Sequence, residues 1–205
     1  MIFKSQFSVD VPQVDVLSFL FEQTPFREDD SIWISPYDAS LSITLSQARS
    51  LTTRIGHGLR SLDVGTKEGV EDIVLTFVDN QVMCGPAMFG VICAGAVHST
   101  CPFTATAFEL CRQIKLSSPK ILICSPMTRK VAEEAISLSG MNIRLLVMTS
   151  KTGACDIEDA NGNSILTSAT FNWKRITSQE LLEGRTACLV FSSGTTGPPK
   201  GKADR

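Results

Sequence analysis

The 205-residue sequence lacks a long uninterrupted apolar segment and a cluster of like charge, and it has only 2 histidines. Its longest apolar stretch, 82–97, is broken by glycines. It falls short of the roughly 18–20 residues a membrane-crossing helix needs, so no bilayer span is expected. The opening residues carry Asp10 and Asp15 and no basic run leading into an apolar one, which is not the pattern of a secretory leader. The 19 basic and 21 acidic residues give a formal net charge of -2 and are dispersed along the chain. Without a basic stripe, nucleic acid is not an expected partner. The 7 cysteines form no close Cys-x-x-Cys pair and lie mostly within apolar stretches. They are expected to be reduced, buried small hydrophobes of a cytoplasmic protein, with a disulfide framework or a zinc site as the weaker alternative. There is no internal repeat.

What is present is enough to fold. A hydrophobic fraction of 43% against 20% charged residues supports a substantial core in one or two domains. Residues 16–21 suit a short helix, and Ile32, Trp33 and Ile34 suit a strand over 31–35 before the turn at Pro36 and Asp38. Thr44 and Gln47 make a capping box. Leu45, Ala48, Leu51, Ile55, Leu59 and Leu62 then recur at helical spacing. From Ile73 the pattern becomes short apolar strands alternating with helices, which predicts an α/β fold with a largely parallel, layered sheet. The expected strands are 73–78, 121–124, 142–148 and 187–191. A helix over 81–95, apolar all round, should be buried on more than one side. Thr106 and Glu109 box in another helix bearing Leu110, Cys111 and Ile114. Ser125 is the expected cap of a helix with Pro126 in first position, ending near Gly140. Residues 151–164, rich in Gly, Asp, Asn and Ser, read as a loop, and Thr177 with Glu180 as the box of a short helix ending at Gly184.

The last expected strand runs into Ser192-Ser193-Gly194-Thr195-Thr196-Gly197-Pro198-Pro199-Lys200-Gly201. A buried strand delivering glycines, hydroxyls and a lysine supplies what a polyphosphate needs. Small residues let backbone N–H groups approach, hydroxyls donate further hydrogen bonds, and an ammonium offsets charge. It is not a Walker A loop: Pro199 precedes the lysine where that motif has glycine, and Gly201 follows where it has Ser or Thr. The two prolines also disfavour the helix that such a lysine opens. The bland alternative is a flexible Gly/Ser/Thr linker.

These ten residues resemble the phosphate-loop signature of the adenylate-forming enzymes, the superfamily of acyl- and aryl-CoA synthetases, luciferases and peptide-synthetase adenylation domains. Residues 90–97 with Pro102 and the Glu109 helix, and residues 41–59, are similar to early stretches of its 4-coumarate-CoA ligase-like branch. The resemblance implies that 1–205 form part of an amino-terminal AMP-binding domain, with the carboxy-terminal domain absent. It implies that Ser192, Ser193, Gly194, Thr195 and Thr196 contact ATP phosphates and that Lys200 neutralises them. ATP, with Mg2+ and CoA, and a carboxylic acid substrate are the implied cofactors and partners. No catalytic or metal-binding residue is assigned. The family's adenine, ribose and hinge segments and its adenylation lysine have no counterpart here, and residues 203–205 do not match the peroxisomal ending common in this branch.

Three functions stand at this stage: an acyl-CoA ligase inactive as this chain alone, a non-catalytic partner-binding remnant, and a plain nucleotide-binding module. Self-association through uncovered apolar faces is a further expectation. His57 and His98 are read as structural or surface residues, Asp156, Glu158 and Asp159 as a solvated turn, and Trp33 and Trp173 as packing groups.

Overall fold

A computed structural model describes residues 7, 9–151, 154–192 and 200–204, with side chains described as far as Phe191. The chain begins with helix α1 (Val16–Glu22), whose N-cap Asp15 accepts from the Ser18 amide. A two-stranded antiparallel sheet follows, β1 (Ser31–Ile34) with β2 (Ser42–Thr44), the second strand being too short to stand out in the sequence. Helix α2 (Leu45–Ser61) starts at the expected capping box, with Thr44 and Gln47 bonding each other's backbone. That arrangement satisfies two of the N–H groups a helix start leaves open.

The main sheet is built by β3 (Ile73–Phe77), α3 (Cys84–Cys93), β4 (Val97–Thr100), α4 (Ala107–Ser117), β5 (Ile121–Cys124), α5 (Arg129–Ser139), β6 (Arg144–Lys151), β7 (Ala154–Glu158), α6 (Gln179–Gly184), β8 (Cys188–Ser192) and β9 (Lys200–Asp204). Its order is β7-β6-β5-β3-β4-β8-β9. The central five strands are parallel, and β7 and β9 close the two edges antiparallel. Parallel strands covered on both faces should be continuously apolar, and β5 is: Ile121, Leu122, Ile123 and Cys124 are all buried. Alternate residues serve opposite faces. Val74, Ile121 and Ile123 join the core beneath α2 and α3, while Leu75, Phe77, Leu122 and Cys124 join the one beneath α4 and α5.

Several expectations need correction. Ser125 does not cap α5. The helix begins later, with Thr128 as N-cap, because residues 125–128 form a turn whose Thr128 hydroxyl donates to the Phe77 carbonyl oxygen at 2.6 Å. Helix α6 starts after Ser178 without a side-chain cap, so Thr177 and Glu180 form no box. The segment before α6 is held instead by Asp15, whose carboxylate accepts from the Ile176 amide. Helix α3 is shorter than 81–95, since Gln81 turns the chain and its carbonyl accepts from the Cys84 amide. The expected loop 151–164 contains β7, which pairs with β6 through five register positions. Strand β8 is not the last, because β9 follows it.

The long stretch after β7 is strapped down. Arg54 donates to the Leu166 and Thr167 carbonyls, the Arg60 guanidinium lies 4.4 Å from the Phe171 ring centroid, and Trp173 Nε1 donates to Ser18 Oγ. Trp33 packs on Phe89 and Trp173 on Phe21, in the packing role expected of both. Among the described residues, no helix is long and apolar enough to cross a membrane.

Candidate functional site

Five parallel strands end at the same edge of the sheet, and β8 brings Ser192 to that edge. The chain then returns as β9, so the glycine- and hydroxyl-rich segment connects the two arms of an antiparallel hairpin. Ser192 pairs directly with Lys200, Phe191 with Gly201 and Val190 with Lys202. Opposed residues in such a ladder have Cα atoms roughly 4.5–5.5 Å apart. The first and ninth residues of the signature are thus brought face to face. Ser193, Gly194, Thr195 and Thr196 lie outside the described residues.

The anchorage of β8 is unusual within the sheet. Its ladder to β4 has only two register pairs, His98 with Cys188 and Ser99 with Leu189, whereas β3–β4, β3–β5 and β5–β6 have four each. Side chains add to it. Ser99 Oγ donates to the Leu189 carbonyl oxygen at 2.9 Å, and Gln113 of α4 donates from Nε2 to Ser99 Oγ at 3.4 Å and to the Thr100 carbonyl at 2.9 Å. Behind Ser99, the Thr76 hydroxyl donates to the Ser99 carbonyl at 3.2 Å and meets His98 Nε2 at 3.0 Å. Thr76 has a single hydroxyl proton, so the ring nitrogen supplies the other. Burial, which penalises the imidazolium, pulls His98 down from 6.5 to about 4. His98 is therefore a neutral, structural histidine, as the sequence led one to expect. Ser99, Gln113 and Thr76 carried no sequence signal, because their pairing joins segments far apart in the chain.

The other residues considered resolve simply. His57 is partly buried on α2, with a buried Nδ1 that has no hydrogen-bond partner. Asp156 and Glu158 lie on β7 and not in a turn, Asp156 accepting from Ser164 Oγ. Asp159 does head a turn, where hydrogen bonds from the backbone and side chain of Asn163, and from the Asn161 amide, keep its carboxyl below the usual range. Among the described residues, no group of three His, Cys, Asp or Glu converges as a metal site. Burial pushes the thiols of Cys93, Cys101 and Cys124 up to about 12, so they are inert packing groups.

One groove of about 230 Å³ opens at the same sheet edge, lined by Asp79, Gln81, Ser125, Met148 and Lys151 among others. It sits where the connections after β3 and β5 leave to opposite faces, the usual crevice of a doubly wound sheet. At about 4.8 Å per strand its lining stands two to four strands from the end of β8, roughly 10–19 Å away.

A model of the AMP-binding enzyme family matches residues 21–202. A protein of Emericella nidulans, provisionally named an acyl-coenzyme A synthetase, is 33% identical over 94% of this chain and 36% of its own length. A phenylacetyl-CoA ligase of Aspergillus niger is 26% identical over 98% of this chain and 37% of its own. The chain thus spans little more than a third of the curated relatives it matches. Among solved structures, an anthranilate CoA ligase in complex with anthranoyl-AMP superposes with a TM-score of 0.72 at 17% identity, over 94% of this chain and 35% of that one. A benzoate CoA ligase from Burkholderia xenovorans gives 0.68 at 19% identity, over 91% and 33%. At these identities the structural likeness establishes the fold alone.

Proposed function

Because the chain belongs to the AMP-binding enzyme family, we propose that it is the phosphate-binding part of an acyl-CoA ligase, with the β8–β9 hairpin as its ATP-phosphate cradle. The observation that carries this reading is the direct pairing of Ser192 with Lys200 at the carboxyl edge of a parallel sheet. In this reading the hydroxyls of Ser192, Ser193, Thr195 and Thr196 and the backbone N–H of Gly194 donate to phosphate oxygens. Lys200 sets a positive charge beside them. In the full reaction a carboxylate oxygen attacks the α-phosphorus and pyrophosphate leaves. The CoA thiol then attacks the acyl carbonyl, and AMP leaves. The cradle's share is to hold the leaving pyrophosphate and offset its growing charge. Mg2+ would supply further positive charge at the phosphates; among the described residues no group of three His, Cys, Asp or Glu converges to hold it.

The test is calorimetric titration of the 205-residue chain with ATP in magnesium buffer, against Lys200→Ala. A charge-assisted hydrogen bond is worth about 1.5–3 kcal/mol. The variant is therefore expected to bind at least tenfold more weakly with an unchanged melting temperature. Absence of binding by the parent chain, or equal affinity in the variant, refutes the cradle.

A further inference from the structure

We propose that Ser99, oriented by Gln113, is a positioning residue for the phosphate cradle. It clamps β8 in register and thereby fixes where Ser192 enters the loop. This rests on the cradle reading above. The β8–β9 hairpin is joined to the rest of the sheet by the shortest of the parallel ladders, two register pairs between β8 and β4 against four in each of the others, while β8 and β9 pair with each other at five positions. Packing compensates little: Val190 is 42% exposed and Leu189 and Phe191 are only half-buried, while β5 is buried throughout. Against that background Ser99, itself 1% exposed, donates its one hydroxyl proton to the Leu189 carbonyl at 2.9 Å, three residues before Ser192.

The donor is not free to turn elsewhere. Gln113 Nε2, on α4, donates to Ser99 Oγ at 3.4 Å and engages one of the oxygen's two acceptor positions, while the hydroxyl proton goes to β8. Gln113 is in turn fixed by its bond to the Thr100 carbonyl, and the Ser99 backbone by the Thr76 hydroxyl. The clamp therefore ties α4, β3 and β4 to the strand that carries the cradle. Slippage of β8 by a fraction of a residue would displace every phosphate donor that follows, and positional errors of about 1 Å are costly in such sites.

The experiment compares the full chain with Ser99→Ala, Ser99→Thr and Gln113→Met, reading amide hydrogen exchange strand by strand together with ATP affinity. Loss of one neutral hydrogen bond corresponds to about two- to tenfold in the opening equilibrium. Ser99→Ala is expected to raise exchange of the 189–192 amides by that factor, leave β3 and β5 within twofold, and weaken ATP at least fivefold. Ser99→Thr, which keeps the donor, returns both toward the parent. Gln113→Met, which leaves the serine in place, loosens the same amides to a lesser degree and serves as the working variant should Ser99→Ala not fold. Equal loss of protection across β3, β5 and β8 overturns the proposal, as does unchanged ATP affinity once β8 has loosened. If the parent chain binds no ATP, the cradle reading fails, and confinement of the exchange change to β8 alone decides whether the clamp exists.

Discussion

His98 shows how one side chain couples the seam beside β8 to acidity. The residue is 8% exposed, its ring is hydrogen-bonded to Thr76, and burial lowers its pKa from 6.5 to about 4. Between those values the unfolded chain binds a proton that the folded chain refuses, so folding stability rises with pH in this window. The histidine's contribution is complete above about pH 6.5 and is lost as pH falls toward 4. With about 1.4 kcal/mol per pKa unit, the loss between pH 7.5 and 4.5 comes to about 2–3 kcal/mol. Urea unfolding of the parent and of His98→Gln at the two pH values isolates this term from the carboxylates, which both proteins share. The parent is expected to lose about 2–3 kcal/mol more than the variant. Equal losses would mean that the imidazole is already solvated in the fold. The same burial that quiets His98 also quiets Cys93, Cys101 and Cys124. The residues richest in apparent chemistry outside the loop are therefore structural.

At the scale of elements, α2 is the spine on which the strap after β7 rests, and Gly58 makes room for that contact. A Cβ on Gly58 would meet the Ile165 carbonyl oxygen at 2.4 Å. Ile165 cannot retreat, since its amide is bonded to Ile157 on β7 and the following carbonyls, Leu166 and Thr167, are held by Arg54. Alanine gains about 1 kcal/mol of helix propensity over glycine, whereas forced overpacking costs about 1–3 kcal/mol. Gly58→Ala is thus expected to destabilise the chain by up to about 2 kcal/mol in urea unfolding. Gly184→Ala, where a Cβ meets nothing within 4 Å, should be neutral or slightly stabilising. A stabilising Gly58→Ala would show that the strap moves freely. Much at this scale was legible in the sequence. Two of the three expected capping boxes, Thr44 with Gln47 and Thr106 with Glu109, form as their spacing indicates, while Thr177 with Glu180 does not because α6 starts one residue later, after Ser178. Four of the five parallel strands are legible because burial on both faces calls for apolar runs, whereas β4 escaped, since Val97 is followed there by the polar His98, Ser99 and Thr100. What escaped is made by pairing and not by propensity. Ala154–Glu158 becomes a strand by docking on β6, and Lys200–Asp204, with two lysines and a glycine, by docking on β8. Ser125 misled because a tertiary bond from Thr128 to Phe77 outcompeted the local cap. At the site the loop's composition was readable, but the bonds from Ser99 and Gln113 join residues whose proximity only the folded sheet creates.

For the whole molecule, the proposed phosphate cradle and its support account for holding phosphates and not for aligning a carboxylate with an α-phosphorus. Adenylation needs both reactants held in line, with charge stabilised as it develops. We therefore expect the 205-residue chain to bind ATP without forming acyl-adenylate or acyl-CoA. Its surface argues in the same direction. Strand β8 presents Cys188, Leu189, Val190 and Phe191, a run suited to burial on both faces, yet Val190 is 42% exposed and the other three are half-buried. Phe103, Met127 and Phe108, from the turns and helix start that follow β4 and β5, are 41%, 70% and 76% exposed. Apolar strand surface left uncovered in this way promotes association. Sedimentation velocity is expected to show concentration-dependent self-association, reduced by Val190→Lys, which places charge on β8 without altering the clamp. Turnover is to be sought by mass spectrometry with ATP, magnesium, CoA and a panel of fatty and aromatic acids, using the monodisperse fraction. Enzyme-dependent product from that fraction would show that the described fold already contains a carboxylate-orienting group, and the groove formed by Asp79, Gln81, Ser125 and Lys151 would be the first place to look for it.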